Sequence, residues 1–183
     1  MRILILDGNP DEQDDGFNEY LAELESQLKA RGHRVTRQTL REMQIRSCTG
    51  CWGCWVKTPG KCVFADDSYQ VCREYIHADL VLMVSPVLMG FTSAVLKKTQ
   101  DRLIPLLHPY FDSAQGEHHH RKRYESYPQL GVLLKASPHT DEEDLTIIQN
   151  IFSRFALNFK TELVFSGRFD ADVKEVAHAI DRL

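Results

Sequence analysis

The stretch Ala78–Arg102, ADLVLMVSPVLMGFTSAVLKKTQDR, decides the fold of this chain. Within it, the run Leu80–Val84 is apolar throughout and lacks the polar alternation of a strand with one wet face. Such a run is typical of a strand buried on both faces, as in a parallel sheet covered by helices. We expect Ser85–Val87 to end this strand, because Pro86 has no N–H to donate to a sheet ladder. Gly90 then permits a tight backbone turn.

A helix is predicted directly after this turn. Thr92 or Ser93 can cap its first turn with a side-chain oxygen. Ligands of open α/β sheets bind beyond the carboxyl ends of the strands, so the turn Ser85–Phe91 should offer its backbone N–H groups to a ligand. The residues that repeat along one side of this predicted helix are Val95, Leu96, Thr99 and Leu103.

The pattern S-P-V-x-x-G-F-x-S-A-x-L-K-x-x-x-D-R, from Ser85 to Arg102, resembles a loop and helix of a known family. It is similar to the flavin-ring loop and following helix of the flavodoxin-like NAD(P)H-dependent FMN reductases and quinone reductases. The alternative is an ordinary strand–turn–helix unit, for which the turn and cap residues suffice. The resemblance implies that the FMN ring contacts Ser85, Pro86, Val87, Leu88, Met89, Gly90 and Phe91.

The N-terminus predicts a second strand–loop–helix unit. Ile3–Leu6 is a short apolar strand, and apolar residues at helical spacing follow it up to Gly32. Flavodoxin-like proteins hold the flavin phosphate in this loop, where the N–H groups and dipole of the helix N-terminus favour an anion. The stretch 16–18 resembles the S-F-N helix start of quinone reductases, with glycine in place of the hydroxyl residue. The residues implied for cofactor binding are Asn9, Gly16, Phe17 and Asn18.

This loop departs from the family pattern, because it carries four carboxylates and no Ser, Thr, Arg or Lys between Asn9 and Gly16. Carboxylates beside a phosphate dianion should weaken its binding unless they point into water. The alternative is a solvated acidic loop, which the dipole of the following helix favours. The carboxylates in question are Asp11, Glu12, Asp14 and Asp15.

A cysteine-rich loop spans residues 48–62 with the spacing C-x2-C-x2-C-x7-C. Four thiolates with short gaps can surround one iron–sulfur cubane, and the pattern resembles the motif that ligates a [4Fe–4S] cluster in iron–sulfur flavoproteins. Four thiolates also suit tetrahedral zinc. Many flavodoxin-like reductases carry a similar loop without metal, where it structures the flavin pocket or a subunit contact. The candidate metal ligands are Cys48, Cys51, Cys54 and Cys62.

An irregular excursion is predicted for residues 109–128, which show no clean hydrophobic period. It contains the only basic cluster, His118–Arg123. Arg121 or Arg123 could bind a nicotinamide-cofactor phosphate or an acidic substrate bidentately. The alternative is a solvated loop or a subunit contact. We expect such a contact to involve the excursion together with Phe91, Trp52 and Trp55.

The remaining chain predicts three further strands. Arg34–Leu40 is the more exposed one, and Gln129–Ala136 and Phe159–Phe165 are each followed by a helix. Ser137, in the turn after Gln129–Ala136, is a further candidate for cofactor binding. Five strands that alternate with helices indicate a parallel sheet covered on both faces. We therefore expect one flavodoxin-like three-layer α/β/α domain over residues 1–183, with a five-stranded parallel sheet in the order 2-1-3-4-5.

Composition narrows the class of function. The chain has 183 residues and a net charge of −4, which gives no reason to expect nucleic acid as a partner. No apolar run approaches the roughly 20 residues that span a bilayer. Crowded cysteines without a secreted disulfide pattern favour the cytoplasm.

The resemblance implies an FMN-dependent oxidoreductase that transfers electrons from NAD(P)H to a quinone, flavin or other small acceptor. Such enzymes are usually dimers or tetramers with the flavin at a subunit contact. Hydride transfer to the flavin ring requires no acid or base from the protein, so no catalytic residue is predicted. Two alternatives remain open: a [4Fe–4S] flavoprotein or electron carrier built on the cysteine-rich loop, and a flavin-free binding module that retains only the fold.

Overall fold

The main sheet of the computed structural model, which describes residues 1–114 and 116–183, has five parallel strands. In chain order they are β1 (Arg2–Asp7), β2 (Arg34–Thr39), β3 (Leu80–Leu88), β7 (Gln129–Lys135) and β8 (Leu163–Arg168). Their spatial order is β2-β1-β3-β7-β8, and a short strand β4 (Phe91–Thr92) pairs antiparallel with the end of β3. The predicted parallel order 2-1-3-4-5 is therefore confirmed.

Helices cover both faces of this sheet. They are α1 (Asp15–Ala30), α2 (Gly53–Val56), α3 (Ser68–His77), α4 (Ala94–Asp101), α5 (Glu142–Asn158) and α6 (Val173–Asp181). Two short 3-10 turns lie at Leu40–Glu42 and Ile104–Leu106. The helices α1 and α6 pack on one face, whereas α3, α4 and α5 pack on the other, so the three-layer arrangement is also confirmed.

Strand β3 shows why the apolar run decides the fold. All five residues of Leu80–Val84 are fully buried. Val81 and Met83 belong to the core under α3, α4 and α5. The alternate residues, Leu80, Leu82 and Val84, belong to the core under α1 and α6. Because side chains alternate across a strand, each residue serves one of two cores. Burial of each such side chain contributes about 2 kcal/mol.

The predicted end of this strand at Ser85–Val87 is wrong, because β3 continues to Leu88. The carbonyl of Val84 accepts the N–H of Gly8, so every second residue of β3, including Pro86, turns its peptide nitrogen toward β1. The pairing with β1 has already ended there, at Asp7 and Val84. The N–H that Pro86 lacks would therefore have no partner on β1, so the sheet loses no hydrogen bond to this proline.

The predicted excursion over residues 109–128 lies outside the main sheet, but most of it has regular secondary structure. The segment forms a hairpin of β5 (Leu107–Ala114) and β6 (Glu117–Lys122), which stands apart from the main sheet. The sequence pattern does not predict strand β6, because its buried residue is His119 and not an apolar side chain. Strand β8 likewise begins at Leu163 and not at Phe159, which is the buried C-cap of α5.

Candidate functional site

Three loops meet at the carboxyl edge of the sheet. We call them the phosphate loop (residues 8–16, after β1), the ring loop (residues 85–93, at the end of β3) and the third loop (residues 136–141, after β7). Gly8 donates its N–H to Val84 over 2.8 Å and accepts a hydrogen bond from the Ser93 hydroxyl. A side chain on Gly8 would stand 2.7 Å from Leu96 Cβ, so the backbone of the phosphate loop at Gly8 packs directly against helix α4. This edge holds the residues that the sequence predicts for cofactor binding.

The ring loop is a tight hairpin. Leu88 pairs with Phe91, and between them Met89 and Gly90 have φ values of 52° and 76°. Two consecutive left-handed residues are the signature of a type I′ turn. The φ of 76° favours glycine at position 90, and a side chain there would also stand 2.7 Å from the carboxylate of Asp144 at the start of α5, which would have to move.

The tip of this hairpin is apolar and exposed. Leu88 is 46% exposed, and Met89 projects fully into solvent despite a backbone conformation that costs a non-glycine residue roughly 1–2 kcal/mol. Phe91 is half-buried next to them. Exposed apolar side chains on a strained turn are typical of a contact surface for a flat apolar ligand.

Ser85 and Ser93 build the ring loop from within. The buried Ser85 hydroxyl accepts the N–H of Ser93 over 2.9 Å and donates to the carbonyl of Pro86 over 2.8 Å. Ser93 in turn accepts the N–H of Leu96 over 3.2 Å and caps α4. Ser85 was predicted as a cofactor contact, but the structure places its hydroxyl in the support of the loop.

The phosphate loop closes on itself through its amide side chains. Asn9 is buried, donates to the carbonyl of Asp11 over 2.7 Å and accepts the N–H of the same residue over 3.1 Å. Asn18 donates to the carbonyl of Glu12 over 2.9 Å. Phe17 has its ring in the core under α1 and α6. Of the residues predicted here, Gly16 leaves open space, since a side chain on it would meet only the Asp14 carboxylate, at 3.8 Å.

Asp14 occupies the N-terminus of α1 with its own negative charge. Its carboxylate accepts the N–H of Phe17 over 3.1 Å. Lys135, at the end of β7, donates to both oxygens of this carboxylate over 2.6 Å. Desolvation raises the pKa of Asp14, but the bonds from Lys135 and Phe17 outweigh it, so the pKa lies below its usual value. The helix N-terminus predicted for a phosphate thus already holds an anion with its counter-ion.

A second charged group lies behind this loop. Asp7 is fully buried at the end of β1, and burial raises the pKa of its carboxyl group. Its Oδ1 accepts the N–H of Asn9 over 3.0 Å, and its Oδ2 lies 3.8 Å from Arg37 and 3.7 Å from Arg41. Among the described residues, this Oδ2 has no hydrogen-bond partner. The group anchors the phosphate loop from beneath.

The third loop is also tied to itself. Ser137 accepts or donates a hydrogen bond with the Thr140 hydroxyl over 3.0 Å, and its N–H donates to the same oxygen over 2.9 Å. Its hydroxyl also receives the N–H of His139 over 3.3 Å. Ser137 therefore lies at the predicted edge, with its polar groups already engaged.

The cysteine-rich loop lies elsewhere, near the far ends of α4 and α5. Trp55 donates its indole N–H to the carbonyl of Leu107 over 3.0 Å, and its ring centroid lies 5.0 Å from that of His120 in the β5–β6 hairpin. Trp52 is 64% exposed. The four cysteines line one cavity, but no three His, Cys, Asp or Glu side chains in residues 1–114 and 116–183 are placed to hold a metal ion. The [4Fe–4S] and zinc alternatives therefore gain no support.

The predicted anion ligands of the basic cluster have structural partners. Arg121 pairs with Asp112 across the β5–β6 hairpin over 2.9 Å. Arg123 donates to the carbonyl of Pro105 over 3.1 Å and packs its stem against Gly60 in the cysteine-rich loop. Arg121 is therefore paired within the hairpin, and Arg123, just after β6, joins the hairpin to its surroundings, so the structure brings neither arginine to the sheet edge.

Sequence reasoning missed Lys135, Asp7, Arg37 and Arg41. Lys135 could have been found, since it is the penultimate residue of the predicted strand Gln129–Ala136 and so lies at the edge where ligands bind. Arg41 follows β2 at the same edge and reaches the carbonyl of Asn9 over 3.5 Å. Its position in a 3-10 turn carried no sequence signal.

A parallel sheet in this order, with two loops converging beside its first and third strands, defines the flavodoxin-like fold. The chain belongs to the NADPH-dependent FMN reductase family, whose model matches residues 1–124. This confirms the reductase resemblance of the ring loop and the first strand–loop–helix unit. No curated protein matches the chain.

Solved structures share the fold over the whole chain. One is the NAD(P)H:quinone oxidoreductase from Methanothermobacter marburgensis, with a TM-score of 0.67, 17% identity and coverage of 100% of this chain and 95% of that chain. Another is the FMN-dependent NADH-azoreductase from Bacillus anthracis in complex with FMN, with a TM-score of 0.64, 11% identity and coverage of 100% and 95%. At these identities the likeness shows the fold alone.

Proposed function

We propose that this chain is an NAD(P)H-dependent oxidoreductase that passes two electrons to a flavin, quinone or azo compound. One observation carries the proposal: in a chain of this family, the β3 loop is an exposed apolar hairpin at the sheet edge, beside the β1 loop. Proteins that share the fold include a quinone oxidoreductase and an FMN-bound azoreductase, which supports the same class of reaction.

The hairpin fits the ring of a flavin. Leu88, Met89 and Phe91 offer apolar surface, and the turn backbone at Met89–Gly90 lies outside the strand pairing, where its N–H groups are available to ring oxygens and nitrogens. Val87 is buried and fixes the hairpin to the core, and Pro86 stiffens its base. When bound, the isoalloxazine ring supplies the hydride-accepting chemistry.

The phosphate loop, as folded, does not fit the phosphate of FMN. The Phe17 N–H that would bind a phosphate oxygen is donated to Asp14, and Lys135 is held by the same carboxylate. A phosphate dianion would add two charges beside the Asp14 carboxylate, and Lys135 is already paired with that carboxylate. We therefore propose that this chain binds flavins through the ring, so that flavin exchanges readily and serves as a substrate.

A homo-oligomer is part of the proposal. Tyr110 and Phe111 of the β5–β6 hairpin are 65% and 58% exposed, and Trp52 and Val56 of the neighbouring cysteine-rich loop are 64% and 72% exposed. Exposed aromatic residues in one region are typical of an interface. The single domain over residues 1–183 and the cytoplasmic location stay predictions. In residues 1–114 and 116–183, no helix has the length and apolarity that crossing a membrane requires.

Steady-state oxidation of NADH and NADPH, followed at 340 nm, tests the proposed function. We expect oxidation that depends on added flavin and rises when a benzoquinone or an azo dye is present. Free flavin without protein is the control. A chain that oxidises neither nicotinamide with any of these acceptors would contradict the proposal.

A further inference from the structure

A cavity of about 400 Å³ lies along helix α3, apart from the three loops of the sheet edge. Its lining residues fall in the ranges 60–62, 68–77 and 105–106, together with Tyr124. The lining is mostly apolar, with Ile76 from α3 and Leu106 facing it from the following 3-10 turn. Small-molecule sites in proteins have volumes of roughly 300–1,000 Å³ and mostly apolar walls, so this cavity has the size and lining of a ligand site.

The walls of this cavity are held in place by hydrogen bonds within the protein. The Tyr69 hydroxyl donates to the carbonyl of Cys62 over 2.5 Å, which joins α3 to the chain opposite it. The Tyr127 hydroxyl donates to the carbonyl of Leu106 over 2.6 Å. A cavity formed in advance needs little reordering when a ligand enters, which favours binding.

Three basic side chains join the apolar lining: Lys61, Arg73 and His77. The Lys61 Nζ lies 4.4 Å from the centroid of the Tyr69 ring, a cation–π contact that keeps the ammonium group beside the cavity. Arg73 and His77 are one helical turn apart, and the His77 Nδ1–H donates to the Arg73 carbonyl over 2.7 Å. In residues 1–114 and 116–183, no carboxylate oxygen lies within 4.0 Å of the Lys61 or Arg73 nitrogens.

A second cavity, of about 230 Å³, shares two of these basic residues and adds Arg2 and Arg34 at the amino edge of the sheet. Arg2 and Arg34 are register partners on β1 and β2, so two like charges extend from the same face of the sheet. The carboxylates here are Glu74, which lines this second cavity, and Asp79, which pairs with Arg2 over 2.9 Å. Basic groups therefore outnumber acidic ones along α3, in a chain whose net charge is −4. Such a region attracts anions.

We propose that the cavity along α3 binds a small aromatic acid, a flat apolar ring that carries one anionic group. The ring lies against Ile76 and Leu106, and the anionic group pairs with Arg73 and Lys61. Charge complementarity selects this class, because a neutral ring would leave the two cations unpaired and a compact polyanion would leave the apolar walls in water. The exposed residues proposed above for the oligomer contact lie outside this cavity. The site is also independent of the proposed reductase site.

Naphthoate and naphthamide are the matched probes, titrated into the protein by isothermal calorimetry. They share one ring system, and only naphthoate is charged. We expect naphthoate to bind the wild-type chain with a dissociation constant below about 1 mM and at least about fivefold more tightly than naphthamide. No binding of naphthoate in the millimolar range, or equal dissociation constants for the two probes, would overturn the proposal.

Three variants place the probe in the cavity. Arg73→Gln and Lys61→Gln should each weaken naphthoate binding by about threefold to fivefold and leave naphthamide binding within about twofold. Ile76→Trp fills the cavity and should abolish the binding of both probes, while its cooperative thermal unfolding shows that the chain is folded. Lys57→Gln is the matched control, since Lys57 is an exposed lysine outside the cavity and its loss should change neither probe.

Excess FMN separates this site from the apolar ring loop. Naphthoate affinity should be the same with and without FMN, and nicotinamide oxidation should be unchanged in Arg73→Gln. Displacement of naphthoate by FMN would place the probe at the ring loop and overturn the proposal. So would wild-type naphthoate affinity in Arg73→Gln. Because the binding is measured without nicotinamide or an electron acceptor, a failed reductase assay would leave this test intact.

Discussion

The phosphate loop and the ring loop follow adjacent strands at the same sheet edge, yet they are built in opposite ways. The phosphate loop uses its polar side chains on itself: Asn9 binds Asp11, and Asp14 caps α1 and binds Lys135. The ring loop hides its polar side chains beneath an exposed apolar tip, with the Ser85 hydroxyl turned inward. The first loop pairs Asn9 and Asp14 with groups of the protein itself, whereas the second leaves apolar surface in water.

The difference between the two loops indicates which part of a ligand should contribute most of the binding free energy. A loop whose donors and charges are already paired gains little from a ligand, because each new bond must replace an existing one. Exposed apolar surface gains about 25 cal/mol for each Å² that a ligand covers. Recognition at this edge should therefore depend on the flat ring of the ligand and only weakly on its anionic tail.

The largest expected effect comes from the ring loop. Gly90→Val places a branched side chain at a φ of 76° and toward the Asp144 carboxylate, so it should destabilise the fold by about 2 kcal/mol and abolish flavin binding. Chemical denaturation and flavin fluorescence would measure both. Gly16→Ala is the matched control in the phosphate loop, where there is open space. Equal losses of stability and flavin affinity in the two variants would contradict the proposed difference between the loops.

A smaller effect is expected from the charge in the phosphate loop. Asp14→Asn keeps a good N-cap but frees Lys135 for an anion, so FMN should bind roughly 10-fold more tightly. Riboflavin, which has no phosphate, should bind as before. Asp15→Asn is the control, since Asp15 is exposed in the first turn of α1. An unchanged FMN dissociation constant in Asp14→Asn would show that this carboxylate does not compete with phosphate.

The same ion pair should appear in the pH dependence of stability. The pKa of Asp14 is lowered in the folded state, so the carboxylate stabilises the fold above its unfolded pKa of about 4. That contribution, about 1 kcal/mol, should be lost as the pH falls through the folded pKa. Thermal unfolding of the wild type and Asp14→Asn should differ at pH 6 and converge near pH 2. A constant difference across this range would contradict the assignment.

The smallest effect is expected in the third loop. Ser137→Ala removes a hydroxyl that is shared with Thr140 within the loop. We expect a loss of about 0.5–1 kcal/mol in stability and flavin affinity within about twofold of the wild type. A larger loss of flavin affinity, measured by fluorescence titration, would make Ser137 a direct ligand contact.

The fold could be predicted because its signal is local. The run Leu80–Val84 has no polar residue to face water, so the strand and the sheet type followed from it. The order of the strands followed from their alternation with helices and from the resemblance to flavodoxin-like reductases. The end of β3 was predicted wrongly because the cost of Pro86 depends on the neighbouring strand. The pairing of β1 with β3 ends at Asp7 and Val84, and this register cannot be read from the sequence of β3 alone.

The state of the site could be predicted only in part. The sequence shows the four carboxylates of the phosphate loop, but it does not show whether they point into solvent or toward the ligand site. Lys135 decides it, and this residue is 121 positions from Asp14 along the chain. The cysteine-rich loop posed the same problem: its spacing allowed a [4Fe–4S] cluster, zinc or no metal. In the described residues its four thiols line one cavity, but no three His, Cys, Asp or Glu side chains are placed to hold a metal ion.

Comparison of FMN with riboflavin tests the central claim most directly. Both flavins carry the same ring, and only FMN carries a phosphate. Titration of the wild-type chain by flavin fluorescence should give dissociation constants that agree within about threefold, because Asp14 and Lys135 leave little to gain from the phosphate. An FMN dissociation constant more than about 10-fold below that of riboflavin would show that the phosphate loop opens to bind phosphate, and would contradict the account.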